Sequence, residues 1–224
     1  NRHGVEVVVP KKIRCCGSLN HHLGKEDDAH QDFINNINTW YDEHQKGNLD
    51  AILSNTSGCG TTMKDYGFIF KDDEKMKKKA KVISDLTRDV SEYLDTNLKL
   101  NFKAKEKKYK IAYHSACSMQ HGQKVHNQPM SLLSKTNNEI MEIPEGHICC
   151  GSAGTYNILQ TEIAKELLSK KAKNIESLKP DFISTGNIGC ITQISNGTKT
   201  PILHTIEILD WYTGGPKPKI LQKN

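Results

Sequence analysis

The chain has 224 residues, enough to bury a core in one domain or two, and a formal net charge of +5 from 31 Lys and Arg against 26 Asp and Glu. The basic excess sits in runs at residues 75–81 and 103–110 with little aromatic interleaving, the pattern of a solvated helix face or linker and not of a nucleic-acid surface. No apolar run approaches the roughly 20 residues of a membrane span and nothing resembles a secretory signal, so a soluble, cytoplasmic chain is expected.

Seven cysteines is an odd number, and they lack the scattered spacing of a secreted disulfide scaffold. A reducing compartment follows, and metal ligation outranks disulfide bonding. The chain opens at Asn1 without a methionine and enters a strand-like run almost at once, so a missing upstream segment is expected.

In chain order, residues 5–9 (Val-Glu-Val-Val-Val) form a β-branched run stopped by Pro10, as a buried strand would be. The first cysteine pair follows, Cys15-Cys16-Gly17. From Asp27 to about His44, the residues Ala29, Phe33, Ile37, Trp40 and Tyr41 fall at three- and four-residue spacing. Acidic residues at the start and Gly47 at the end complete an amphipathic helix. Residues 51–53 read as a short buried strand, and residues 54–60 as a polar loop delivering Cys59. Val82, Leu86, Val90 and Leu94 mark one long helix. The lysine-rich stretch 101–109 reads as a linker between a first half, residues 1–100, and a second, residues 110–224.

The second half repeats the plan. Residues 110–114 form a strand leading to Cys117, a helix is expected around residues 128–134, and residues 139–144 form the next strand before Cys149-Cys150-Gly151. Leu159, Ile163, Leu167, Ile175 and Leu178 outline a helix ended by Pro180, and residues 182–184 make a strand before the loop that delivers Cys190. Proline stands five positions before the first cysteine of both pairs, at Pro10 and Pro144. The pairs are offset by 149 − 15 = 134 positions and the later cysteines by 190 − 59 = 131, so one duplication with small indels accounts for both. Strands alternating with helices imply an α/β fold: two tandem βαβ halves with short parallel strands and flanking helices, and ligands at the carboxyl ends of the strands.

Two adjacent cysteines followed by glycine need a chemical reason. They cannot pair without straining the peptide between them, and neighbouring thiolates repel unless a cation neutralises them. Gly151 and Gly154 let the backbone turn sharply and approach a bulky ligand. In the second half Cys117, Cys149, Cys150 and Cys190 each follow a predicted strand, with 31 residues between the first two and 39 between the last two. Four such thiolates suit a single metal or cluster site. Structural zinc commonly uses cysteines two residues apart, and no such pair occurs, so an iron–sulfur cluster of the [4Fe–4S] type is favoured over zinc.

The pattern resembles the cysteine-rich CCG domain family, found in heterodisulfide reductase and in the iron–sulfur subunits of glycolate- and lactate-oxidising complexes. The runs Cys117-Ser-Met-Gln-His-Gly-Gln123, Gln128-Pro129, Ile143-Pro-Glu145, Cys149-Cys-Gly-Ser-Ala-Gly-Thr-Tyr-Asn157 and Thr185-Gly-Asn-Ile-Gly-Cys190 are similar to the C-terminal half of the glycolate branch. That resemblance implies an iron–sulfur electron-transfer subunit, an oxidoreductase component not active alone. It would take electrons from a flavin-containing partner subunit in a cytoplasmic complex, free or peripherally attached to the inner face of the membrane. A lactate-utilising or heterodisulfide-type redox subunit is the nearest alternative, and a zinc-stabilised interaction module the alternative of another class. Heterodisulfide reductase would have a CxxC pair closing each half, whereas this chain has Thr56-Ser-Gly-Cys59 and Asn187-Ile-Gly-Cys190. The closely spaced ferredoxin-like cysteine runs of the glycolate subunit are also absent, as in a C-terminal fragment.

The duplicated register places the first-half counterpart of Cys117 at 117 − 134 = −17, outside the sequence. Cys15, Cys16 and Cys59 are therefore expected to form an incomplete three-thiolate site, empty or disordered over residues 17–25. Ten histidines, among them His21, His22, His114, His121 and His147, read mostly as surface or capping residues, with ligation of a cluster or a hydrogen bond to one as the minority reading for each.

Overall fold

The computed structural model describes residues 1–47 and 49–222. It divides into two compact units, Asn1–Tyr93 and Leu94–Asn224.

The first unit begins without regular structure. Residues 5–9 form no strand, and Val7, Val8 and Val9 are exposed. The expected strand fails because a lone β-run has no ladder to satisfy its backbone groups. Its counterpart in the second unit pairs with the strand at Lys110–Tyr113, whereas residues 5–9 pair with no strand among the described residues. Gly17, at φ 76°, then leads into α1 (Ser18–His22). Of the stretch 17–25, residues 18–22 are helical.

Helix α2 (Glu26–Gln45) starts with three acidic residues in its first turn, where the macrodipole favours them, and buries Ala29, Phe33, Ile37 and Trp40. Strand β1 (Ile52–Ser54) precedes α3 (Ser57–Ile69), so Cys59 sits in the first turn of a helix and not in a loop. The single helix expected from Val82 to Leu94 is broken into α4 (Lys77–Leu86), β2 (Thr87–Asp89) and α5 (Val90–Asn97). The break has a local cause. The Asp89 carboxylate accepts the backbone N–H of Ser91 at 2.8 Å, which starts a new helix, while Thr87–Asp89 pairs in parallel with Ile52–Ser54. Phe33, Tyr66 and Phe70 centre the core, with the Phe33 and Tyr66 rings 4.9 Å apart.

In the second unit, residues 100–109 carry neither helix nor strand. Leu100 and Phe102 pack against its core, and the Lys103 N–H donates to the Tyr212 carbonyl at 2.7 Å. Strand β3 (Lys110–Tyr113) is followed by one π-helical turn at Ser118–Gly122, then α6 (Gln128–Ser134) and β4 (Glu139–Glu142). Two helices, α7 (Tyr156–Leu159) and α8 (Thr161–Ser177), lead to β5 (Phe182–Thr185). Then come α9 (Ile188–Ser195), β6 (Ile202–His204) and α10 (Thr205–Tyr212).

The sheet order is β4-β3-β5-β6, with every pairing parallel. Both faces are covered: Ile111, Tyr113 and Phe182 enter one apolar cluster, while the alternate residues Ala112 and Ile183 enter another that also contains Cys150 and Cys190. From β3 the chain crosses first to β4 on one side and later to β5 on the other. The strand order therefore reverses between β3 and β5, and a crevice opens at their carboxyl ends.

Candidate metal centre

That crevice is where the second unit's cysteines converge. Cys117 lies just beyond β3, at the start of the π-helical turn. Cys149 and Cys150 follow the turn after β4, and Cys190 occupies the first turn of α9, whose N-cap Asn187 accepts the Gly189 N–H at 3.1 Å. The Cys150 and Cys190 sulfurs are 3.5 Å apart, and the Gly151 N–H donates to Cys149 Sγ at 3.3 Å. A disulfide would bring the sulfurs to ~2.05 Å, and all seven cysteines are free thiols.

These sulfurs form one chain of thiols and thiolates. The Cys117 thiol is raised because it donates to Cys149, and the Cys149 thiolate is lowered by hydrogen bonds from Cys117 and Cys150. Cys150 is raised between its neighbours Cys149 and Cys190, and Cys190 is lowered to about 5, first by the hydrogen bond from Cys150 and then by the nearby His114 imidazole. Raised and lowered pKa values alternate along the chain because four adjacent negative charges cannot coexist in a buried nest without a cation.

The backbone around the pair is held in unusual conformations. Gly151 has φ 93°, and a Cβ there would lie 2.5 Å from the Ala164 carbonyl oxygen of α8. Glu145 (φ 52°) and Ala153 (φ 36°) occupy the left-handed region without being glycine. Glu145 is tied down by an ion pair to Lys170 at 2.7 Å and by Asn174 Nδ2 at 3.1 Å. Behind it, the Lys171 ammonium is buried and donates to the Glu145 carbonyl at 3.3 Å. Burial lowers the Lys171 pKa, and the thiolates of Cys150, Cys149 and Cys190 oppose that shift.

The first unit repeats the plan with three sulfurs. Cys16 and Cys59 share a hydrogen bond that raises the former and lowers the latter, while Cys15 is exposed. Asn36, fully buried on α2, clamps the cysteine loop: its Oδ1 accepts from Arg14 N at 2.8 Å and its Nδ2 donates to Cys15 O at 2.7 Å. The Tyr66 hydroxyl donates to Cys16 O at 2.9 Å. A Cβ on Gly17 would meet the Phe33 ring and the Ala29 carbonyl oxygen. Ala29 and Ala164, and likewise Asn36 and Lys171, are 135 positions apart, so the duplication extends to the helix supporting each cysteine pair. Neither Asn36 nor Lys171 was singled out from sequence, where each reads as an ordinary polar residue on a helix. Only their burial marks them. His114, which the sequence places beside Cys117 among histidines that read mostly as surface or capping residues, is 2 % exposed.

Soft thiolates converging from several strand ends suit zinc or an iron–sulfur cluster, and the second unit offers four of them with a glycine where a bulky group must come close. The residues fit such a group. Among the described residues, no helix is long and apolar enough to cross a membrane.

Two α/β units with parallel strands, each gathering free thiols, define a cysteine-rich class of protein whose donor set suits a soft metal. The chain belongs to the CCG cysteine-rich domain family, whose model matches residues 1–64 and 111–195. Among curated relatives, the glycolate oxidase iron-sulfur subunit of Escherichia coli K12 is 34% identical over 94% of this chain and 51% of its own length. Lactate utilization protein A of Geobacillus sp. WCH70 is 25% identical over 93% of this chain and 88% of its own. A probable glycolate oxidase iron-sulfur subunit of Bacillus subtilis 168 is 28% identical over 87% and 43%. The chain thus spans about half the length of the glycolate oxidase subunits it matches.

Proposed function

We propose that this chain is the iron–sulfur electron-transfer part of an oxidoreductase complex that oxidises a 2-hydroxy acid, glycolate in preference to lactate, and that it accepts electrons from a flavin-containing partner subunit in the cytoplasm. The observation that carries the reading is the gathering of four cysteine sulfurs at the switch point of the second unit's sheet. The names of the relatives supply the substrate class.

In this reading Cys117, Cys149, Cys150 and Cys190 hold a cluster, and Cys15, Cys16 and Cys59 contribute three thiols to a second site. A bound [4Fe–4S] cluster supplies one-electron redox chemistry. The chain's own residues surround it. The Gly151 amide donates to a ligand sulfur, the apolar side chains packed around Cys150 and Cys190 exclude water, and Lys171 places a buried positive charge beside the thiolates. The half-buried Cys117 and Cys149 leave one side of the site accessible to a redox partner.

The test is to mix the chain, purified anaerobically with its flavin partner, with glycolate and follow the cluster absorbance. Bleaching that requires both the flavin subunit and glycolate is expected. A chain that binds no flavoprotein, or a cluster that glycolate never reduces, contradicts the glycolate reading.

A further inference from the structure

The polar group least accounted for is His114. It follows β3 directly, and its backbone N–H donates to the Ser184 carbonyl at 2.8 Å, which fixes the residue between β3 and β5. Its imidazole is 2 % exposed, and neither Nδ1 nor Nε2 makes a hydrogen bond of good geometry, although the ring lies close enough to the Cys190 sulfur to lower that thiol's pKa. Leaving one buried polar atom unsatisfied costs about 1–3 kcal/mol, and here both atoms of one ring are unsatisfied. An apolar side chain would fill the same space without that cost. The position of the ring explains its retention: a His114 nitrogen and the Cys150 and Cys190 sulfurs all lie within 4.8 Å of one another, and all three residues are buried.

Other polar side chains of the second unit's site are engaged or are poor ligands. Asn187 caps α9, and Asn157 donates to Gln193 at 3.1 Å. The Thr185 hydroxyl at the end of β5 is also buried without a partner, but a neutral alcohol is a weak donor to a soft metal. We propose that His114 supplies a nitrogen ligand to one iron of the second unit's centre, where it takes the place of one of the four thiolates, with Cys150 and Cys190 beside it, making it a mixed thiolate–imidazole site. This rests on the iron–sulfur reading above. One ring nitrogen gives its lone pair to iron and the other keeps its proton, so the imidazole coordinates as a neutral ligand. A neutral donor adds no negative charge, so the reduced cluster is easier to form than with a thiolate in the same place, the effect that imidazole ligands have in Rieske centres. The repeat register puts the first-unit equivalent of His114 at 114 − 134 = −20, outside the given sequence.

The test is pulsed electron paramagnetic resonance of the reduced cluster in the full chain, grown with ¹⁵N-histidine and with natural histidine. A strong coupling to one histidine nitrogen is expected, and it should vanish in His114→Cys, which restores a donor and keeps the cluster. That variant should also have a lower midpoint potential. A cluster with no strong histidine coupling, or one whose coupling survives in His114→Cys, overturns the assignment. So does loss of the cluster from a His114→Cys chain whose circular dichroism is native, because a substitute donor should then have sufficed. Protein free of iron and sulfide would instead remove the iron–sulfur reading itself.

Discussion

Gly151→Ala is the sharpest structural test of how the second cysteine pair is held. The residue sits at φ 93°, and alanine in left-handed space costs about 1–2 kcal/mol. The added Cβ would lie 2.5 Å from the Ala164 carbonyl oxygen and 3.2 Å from Gln193 Nε2. The Gln193 side chain can move, but the carbonyl belongs to the backbone of α8 and yields only if the helix shifts. Overpacking of that kind adds about 1–3 kcal/mol. The two effects together give roughly 3 kcal/mol, or a fall in Tm on the order of 10 °C for a unit of this size. Gly58→Ala is the control: it adjoins Cys59 in α3, has no positive φ, and its Cβ would meet nothing within 4 Å. It should stabilise by about 0.5–1 kcal/mol, as alanine does in place of a helical glycine. Thermal unfolding of the metal-free chain followed by circular dichroism reads both. A Gly151→Ala variant within about 1 kcal/mol of wild type would refute the close-approach argument.

Three further outcomes follow. Asn36→Ala removes the clamp on the Cys15 loop and should destabilise the first unit by about 2–4 kcal/mol, measured by urea unfolding, because several buried backbone groups lose their partner together. An unchanged midpoint would mean that the loop holds itself. Lys171→Met keeps the volume and removes a buried cation, so the reduced, more negative cluster loses stabilisation and its midpoint potential should fall; a rise in a redox titration would contradict the electrostatic role. Cys190→Ser should lower the iron content of the chain far more than Cys15→Ser, since Cys190 is buried among the other sulfurs and Cys15 is exposed. Equal losses would place the tighter site elsewhere.

The sequence carried most of the second unit. Alternating β-branched and helical periods located β3, β4, β5, α6 and α8, but of the residues that outline the helix before Pro180 only Ile175 is fully buried: Leu159 falls in the separate α7, and both Leu159 and Ile163 are exposed. It failed where pairing or a cap overrode composition. The valines at residues 7–9 look like a strand but pair with no strand among the described residues, and the Val82–Leu94 period hides a three-residue strand stopped by Asp89. Cys59 and Cys190 were expected in loops because glycine and polar residues precede them, yet both ride the first turn of a helix. At the candidate site the cysteines announced themselves by spacing. Asn36, Lys171 and His114 did not, since a polar residue becomes informative only when its burial is known.

The central claim is that the second unit's thiols hold an iron–sulfur cluster. Iron, acid-labile sulfide and zinc measured on the anaerobically purified chain, alongside a variant with Cys149 and Cys150 both replaced by serine, test it most directly. Iron and sulfide in matching amounts in the wild type, and their loss from the variant, are the predicted result; stoichiometric zinc without sulfide would contradict it and make the protein a zinc-stabilised interaction module.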